Sequence, residues 1–383
     1  MNIIAVVVTY NRIELLKRTV RCLQQNKPVS SIVVVNNGST DTTAEWLKTQ
    51  SGLTVINQAN VGGSGGFYTG MQYAYQAGAD WIWCMDDDVF PRADCLERLL
   101  QHAGREDIGI LAPRRLQEGK LFTHEFQGYN LTNPFASMYT GKLAKQTVTG
   151  PVEIQGAAFE GPFIRREVVG KIGYPNKDLF IFCDDTDYCL RTVQAGFRIL
   201  YVPDALMDKE KFFSNDSWSE RSKKKKWKRF YQVRNSTYLS HHYGRNWAVR
   251  YLRGFNGVAG YILTALVTCP FTDAYRWSDI LNCGSLLRRD TRKAGENRLI
   301  DRLSECLIGQ EMGIDCLFPV AGLHGKCFLV SQLVEMVFGI KRFHCFLSYS
   351  WFKHLERLLM GCTGILFTIF DTAGICLYAK AKR

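Results

Sequence analysis

Apolar and polar positions alternate in blocks over the first hundred residues. Ile3–Val8 is a continuous apolar, β-branched run, the pattern of a strand buried on both faces of a parallel sheet. The polar turn Thr9-Tyr10-Asn11-Arg12 ends it. Ile13–Gln25 then carries Leu15, Leu16, Val20 and Leu23 at helical spacing. The same alternation predicts a strand at Ile32–Val35, a short helix at Thr42–Lys48 and a strand at Thr54–Asn57. A glycine-rich turn at Asn60–Gly66, a helix at Phe67–Ala77 and a strand at Asp80–Met85 follow. Strands separated by helices imply an α/β fold with a mostly parallel, helix-covered sheet. In open sheets of this kind ligands bind outside the carboxyl ends of the strands. Thr9–Arg12, the Asn36–Ser39 turn, Asn60–Gly66 and the triplet Asp86-Asp87-Asp88 all fall on that edge.

Residues 110–165 are less regular and read as a mixed extension of the sheet. Order returns with Phe180-Ile181-Phe182, the acidic run Asp184-Asp185-Thr186-Asp187, a helix through Arg191 and a strand at Ile199–Val202. After about residue 245 the pattern turns mainly helical, which predicts a first domain over 1–245 and a helical second domain over 246–383. Phe255–Phe271 and Leu358–Ala379 are strongly apolar. Asp371 and several glycines interrupt the second, which favours a core-facing or interface-lying helix over a membrane span.

Composition changes this picture in two ways. The 13 cysteines are odd in number and form no CxxC pair, which favours reduced thiols in a cytosol and argues against a zinc site. The formal net charge of +12 favours anionic partners. Its densest run is Lys223-Lys224-Lys225-Lys226-Trp227-Lys228-Arg229. That run reads either as a solvated face or as a contact with anionic lipid, each basic residue adding about 1 kcal/mol at such a surface. No nucleic-acid module surrounds it, so nucleic acid is not an expected partner.

The triplet carries the sharpest chemistry. Adjacent carboxylates repel one another unless a cation sits among them, and hard oxygen ligands suit Mg2+ or Mn2+, which often take phosphate oxygens as further ligands. A helix cap or solvated turn would also accommodate three aspartates. The strand-end position beside asparagine-rich and glycine-rich loops instead points to a nucleoside diphosphate. Glycines let backbone amides approach such a group, although the "NVGGSGGF" piece is neither a Walker loop nor a GxGxxG fingerprint.

Five segments occur in order: "VVVTYNR" (6–12), "VVNNGSTD" (34–41), "NVGGSGGF" (60–67), "MDDD" (85–88) and "FIFCDDTDYCLR" (180–191). Together they resemble the family 2 glycosyltransferases of GT-A fold, a Rossmann-like α/β architecture. "GPFIRREVVGKIG" (161–173) and "YQVRNSTYL" (231–239) are similar to the bacterial cell-surface glycan branch of that family. The Gly-Gly-Ser-Gly-Gly form with the triplet looks most like galactofuranosyltransferases, which use UDP-galactofuranose. Rhamnosyltransferases using dTDP-rhamnose are the next relatives, and a membrane-associated binding protein with a degenerate site is the alternative of another class.

The resemblance implies roles. Asp86 and Asp88 would hold a divalent cation (Mn2+ or Mg2+), with Asp208 a further candidate near the position where many relatives have a metal-binding histidine. Thr9, Asn11, Arg12, Asn37, Asn60, Gly62, Gly63, Asp86 and Asp87 would border the nucleotide-sugar donor. Asp185 would be the general base with Asp184 as its neighbour, giving inversion at the anomeric carbon. Arg234 and Asn235 would border the acceptor or the diphosphate. The acceptor implied is a lipid-linked or polysaccharide glycan, met by an enzyme in the cytoplasm, peripheral to the inner face of the membrane.

Overall fold

The computed structural model describes residues 1–143, 148–211, 226–254 and 256–257 of the 383-residue chain. One compact unit comprises Met1–Asn133 and Met138–Tyr251, and a second comprises Pro134–Ser137 and Leu252–Arg383. Most of the apolar stretch Phe255–Phe271, all of Leu358–Ala379, and residues 223–225 of the basic run lie outside the described residues. No helix among the described residues is long and apolar enough to cross a membrane.

The first unit is built on one large sheet. Strands β1 (Ile3–Thr9), β2 (Ser31–Asn37), β3 (Leu53–Gln58) and β4 (Trp81–Asp86) pair in parallel, in the order β3-β2-β1-β4. Helices α1 (Ile13–Gln25), α2 (Thr43–Lys48) and α3 (Gly62–Gln76) connect them. All seven residues of β1 are buried, as a strand covered on both faces must be. Its alternate side chains feed two cores. Ile3, Ala5 and Val7 meet Leu16, Val20 and Leu23 of α1, whereas Ile4, Val6 and Val8 meet Phe67 and Met71 of α3.

The mixed extension expected over 110–165 has a definite form. After β5 (Val89–Pro91) and α4 (Cys95–Leu100), β6 (Ile108–Gln117) and β7 (Lys120–Leu121) form a hairpin. β8 (Phe126–Tyr129) and β9 (Tyr139–Lys142) make a separate two-stranded sheet. β10 (Val152–Ile154) forms an edge, and β11 (Phe163–Arg165) inserts antiparallel between β4 and β6. Helix α5 (Arg166–Ile172) leads to α6 (Asp184–Gln194), and β12 (Arg198–Lys209) runs parallel to β6. Helix α7 (Lys226–Tyr243) closes the unit. The longest ladders, β1–β2, β1–β4, β2–β3 and β6–β12, are all parallel.

The glycine-rich piece departs from expectation. It is helical from Gly62, so α3 starts five residues before the predicted Phe67. Glycine disfavours helix by about 1 kcal/mol per residue, but here it permits close packing. A Cβ at Gly66 or Gly70 would strike Val8 or Val6 of β1, so the bare backbone lets α3 lie directly on the sheet.

Candidate active site

The triplet closes β4, and its carboxylates divide, Asp87 turning to Thr9 and Arg12 while Asp86 and Asp88 converge. Asp87 is buried at 2% exposure and turned inward. It accepts hydrogen bonds from the Thr9 hydroxyl at 2.7 Å and from Arg12 at 3.1 Å, and its backbone carbonyl accepts from Thr19 of α1. This residue ties β4 to the β1–α1 turn. Burial, only partly offset by Arg12 and Thr9, pushes its carboxyl up to about 6.

Asp86 and Asp88 gather with Glu160, one carboxylate oxygen of each lying within 4.8 Å of the others. Glu160 lies just before β11 in the irregular stretch, and its place beside β4 depends on β11 pairing with that strand. This acidic cluster is of the DxD kind. Burial, then the charges of Asp88, Glu160 and Asp87, hold the Asp86 carboxyl well above the usual carboxylate range. A hard divalent cation suits this donor set of three converging carboxylates.

Protein cations surround the cluster. Lys209 lies 3.2 Å from Asp88 and 2.9 Å from Glu160, Arg12 lies 3.4 Å from Asp88, and Arg115 bonds both Glu160 and Glu125. The structure does not bring Asp208 to this group. Asp208 pairs with Arg92 at 3.1 Å, and Glu160 completes the set with Asp86 and Asp88. Successive residues of a strand point to opposite sides. On β12 it is therefore Lys209, and not its neighbour Asp208, that reaches the cluster.

The loops on the same edge are stitched together by asparagines. Asn11, at φ 54°, accepts hydrogen bonds from the Thr40 and Asp41 backbone amides, linking the first turn to the second. Asn37, buried at 3%, accepts from Gln58 and the Val61 amide and donates to the Asn60 side chain and the Gly62 carbonyl. The Asn60 side chain accepts from the Gly62 amide at 3.0 Å. Asn37 and Asn60 therefore shape the start of α3. A side chain at Gly63 would meet open space, so its backbone is approachable.

Gly62 joins this edge to the second acidic pair. It sits at φ 78°, a left-handed conformation suited to glycine, and any Cβ there would collide with Phe180. The Ser64 amide donates to the Phe180 carbonyl at 3.1 Å. Phe180, Phe182 and Cys183 all have positive φ, between 64° and 67°, immediately before Asp184. Three non-glycine residues in that region are strained and persist only where surrounding contacts hold them. Those contacts come from α7. The fully buried Asn235 amide donates to the carbonyls of Leu179, Ile181 and Phe182, and Arg234 donates to those of Asp178 and Leu179. The structure thus places Arg234 and Asn235 behind the loop that presents Asp184 and Asp185.

Asp184 and Asp185 begin α6, where the helix dipole favours negative charge. Asp185 is only partly covered and accepts from the amide and hydroxyl of Thr186 at 2.6 and 3.1 Å. Burial raises its pKa. Glu160 adds to the rise, while the Thr186 bonds and Arg115 oppose it. Burial and the charge of Asp185 push Asp184 up to about 7.

A stability effect follows. The folded Asp184 pKa of about 7 lies above the ordinary 3.8. The stability linked to this group is therefore fully present below about pH 4 and lost as pH rises through about 7. Asp184→Asn cannot ionise, so it should be more stable than the parent by about 1–3 kcal/mol above neutral pH, the gap closing toward about pH 4. Thermal unfolding of both proteins across that range measures this, and a constant gap would contradict it.

Residues that the sequence left unmarked complete the site. Glu160, Lys209 and Arg115 come from the irregular stretch, from β12 and from β6. Tyr129 and Tyr139 of the β8–β9 hairpin lie with ring centres 5.8 Å apart. Single aromatic or charged residues in irregular sequence carry no local signal of such convergence.

Residues 4–173 match the family model described as Glycosyl transferase family 2. This stretch is a glycosyl transferase family 2 domain. The galactofuranosyltransferase GlfT1 of Mycobacterium tuberculosis strain H37Rv is 27% identical over 203 residues. That match covers 51% of this chain and 66% of the relative, just under two thirds of its length. The dTDP-rhamnosyl transferase RfbF of Shigella flexneri is 26% identical over 210 residues, covering 54% of this chain and 68% of the relative. Among solved structures, one of GalNAc-T7 with UDP, GalNAc and Mn2+ is similar at 13% identity and a TM-score of 0.45, covering 70% of this chain and 58% of that one. The family 2 domain carries its acidic motif at the carboxyl end of β4 in a mixed α/β sheet, the GT-A arrangement expected from the sequence.

Proposed function

We propose that this chain is an inverting, metal-dependent glycosyltransferase that moves galactofuranose from UDP-galactofuranose onto a glycan acceptor in cell-surface polysaccharide synthesis. The observation that carries this reading is the convergence of Asp86, Asp88 and Glu160 at the carboxyl end of β4, a donor set that suits a divalent cation, in a unit that also carries Asp184 and Asp185 at the start of α6.

Asp185 takes the proton of the acceptor hydroxyl as that oxygen attacks the anomeric carbon. A raised pKa makes it a better proton acceptor than an ordinary aspartate. Asp184, with the higher pKa, orients its neighbour and holds a proton until the medium is near neutral. A divalent cation bound by Asp86, Asp88 and Glu160 would neutralise charge on the departing diphosphate. Arg12 and Lys209 border the same place. Gly63 offers approachable backbone to the donor, and the Tyr129–Tyr139 pair suits the face of an acceptor sugar. A base on one side of the sugar and the leaving group on the other gives inversion.

UDP-galactofuranose is favoured by the likeness to GlfT1 and by the Gly-Gly-Ser-Gly-Gly start of α3. The likeness to RfbF supports dTDP-rhamnose as the second reading. A lipid-linked acceptor would place the protein peripherally on the inner face of the cytoplasmic membrane. The test is a panel of nucleotide sugars with Mn2+, reading released UDP or dTDP. Turnover with UDP-galactofuranose above all others is expected. A preference for dTDP-rhamnose would move the donor assignment, and absence of turnover with every donor and acceptor tried would favour a binding protein with a degenerate site.

A further inference from the structure

We infer that Lys209 is a resident cation of the acidic cluster, holding the place between Asp88 and Glu160 that a divalent ion takes, so that ion loading requires the lysine to move out. The inference rests on the reading that Asp86, Asp88 and Glu160 bind a divalent cation.

The Lys209 side chain is only 10% exposed, and its ammonium lies 3.2 Å from one oxygen of Asp88 and 2.9 Å from one oxygen of Glu160. The other oxygen of each carboxylate is also engaged, by Arg12 on Asp88 and by Arg115 on Glu160. The two arginines are anchored elsewhere. Arg12 also bonds Asp87, and Arg115 also bonds Glu125. The ion pairs of Lys209 run only to the two cluster members among the described residues. It is also a point charge on a flexible four-carbon stem, where the arginines are planar forks fixed by several bonds. Of the three cations, Lys209 is the one that can leave without breaking an ion pair outside the cluster, its other contact being the Phe122 ring, centred 5.6 Å from the ammonium.

The charges agree with this. Asp86, Asp87, Asp88, Glu125 and Glu160 face Arg12, Arg115 and Lys209, so two negative charges remain when all are ionised. Removing the lysine charge leaves three, and a divalent ion is then held more strongly. The chain therefore weakens its own grip on the ion. The displaced ammonium remains tethered beside the site, where an anionic diphosphate would pair with it.

The decisive comparison is Mn2+ binding without nucleotide, followed by the electron-spin-resonance signal of free Mn2+, for the full chain and for Lys209→Met. The variant should bind Mn2+ about tenfold tighter or more. Equal or weaker binding by the variant, with the parent binding measurably, would overturn the inference and leave the cation reading standing. No binding by either protein, even with UDP present, would overturn both. A second measurement needs no variant. Acylation of Lys209 by an amine-reactive ester, read by mass spectrometry, should rise when Mn2+ is added to the parent, and unchanged labelling in a protein that binds Mn2+ would also overturn the inference.

Discussion

Asp185→Asn should bind the nucleotide-sugar donor as the parent does and transfer the sugar about 10²–10⁴-fold more slowly, the usual worth of a positioned general base. The carboxamide fills the same volume at the start of α6 and can still accept from Thr186 through its oxygen, so the loop from Phe180 to Cys183 keeps its support from Asn235. What it loses is the ability to take a proton from the acceptor. Donor affinity by calorimetry and single-turnover transfer rates separate the two effects. Parent-like transfer would place the base elsewhere.

The pH profile gives an independent reading of the same residue. Burial raises both Asp184 and Asp185, and the two titrate as a pair, so the acid limb of kcat/KM belongs to the pair. A base works only when deprotonated. Activity should therefore fall as pH drops through the pair's range, with the limb above the ordinary aspartate value of 3.8.

Asp88→Ala should lower transfer by about 100-fold or more, in the range seen when one preorganised electrostatic group is removed. It should also weaken Mn2+ binding measured without donor. The variant removes one of three converging carboxylates, while Arg12 keeps Asp87 and Lys209 keeps Glu160, so the fold retains its pairings. Asp208→Ala is the matched control. Its carboxylate serves an exposed pair with Arg92, worth no more than about 1 kcal/mol, and should leave Mn2+ binding unchanged. Equal losses in the two variants would return Asp208 to the site.

Much of the first domain was legible because its elements are local. β1 reads from its unbroken apolar run, α1 from the spacing of Leu16, Val20 and Leu23, and the acidic triplet from its place at the end of β4. The start of α3 was misread because glycine's weak helix propensity is a local property, whereas its reason for being there, the approach of Gly66 and Gly70 to Val8 and Val6, is a tertiary one. The "RN" pair showed the same gap. Arg234 and Asn235 are expected at a ligand from the resemblance, and only the structure shows that both also donate to backbone carbonyls some fifty residues earlier in the chain.

By itself, the order of apolar runs and polar turns determined the parallel half of the sheet and the edge on which Asp86 and Asp88 lie, because side-chain period and chain direction are written locally. Only the tertiary structure decided which further groups meet there. Glu160 arrives because β11 inserts between β4 and β6, and Lys209 rather than Asp208 because a strand sends neighbouring side chains to opposite faces. Charge pairing across such distances depends on strand order and register, and neither is visible in the sequence around any one of these residues.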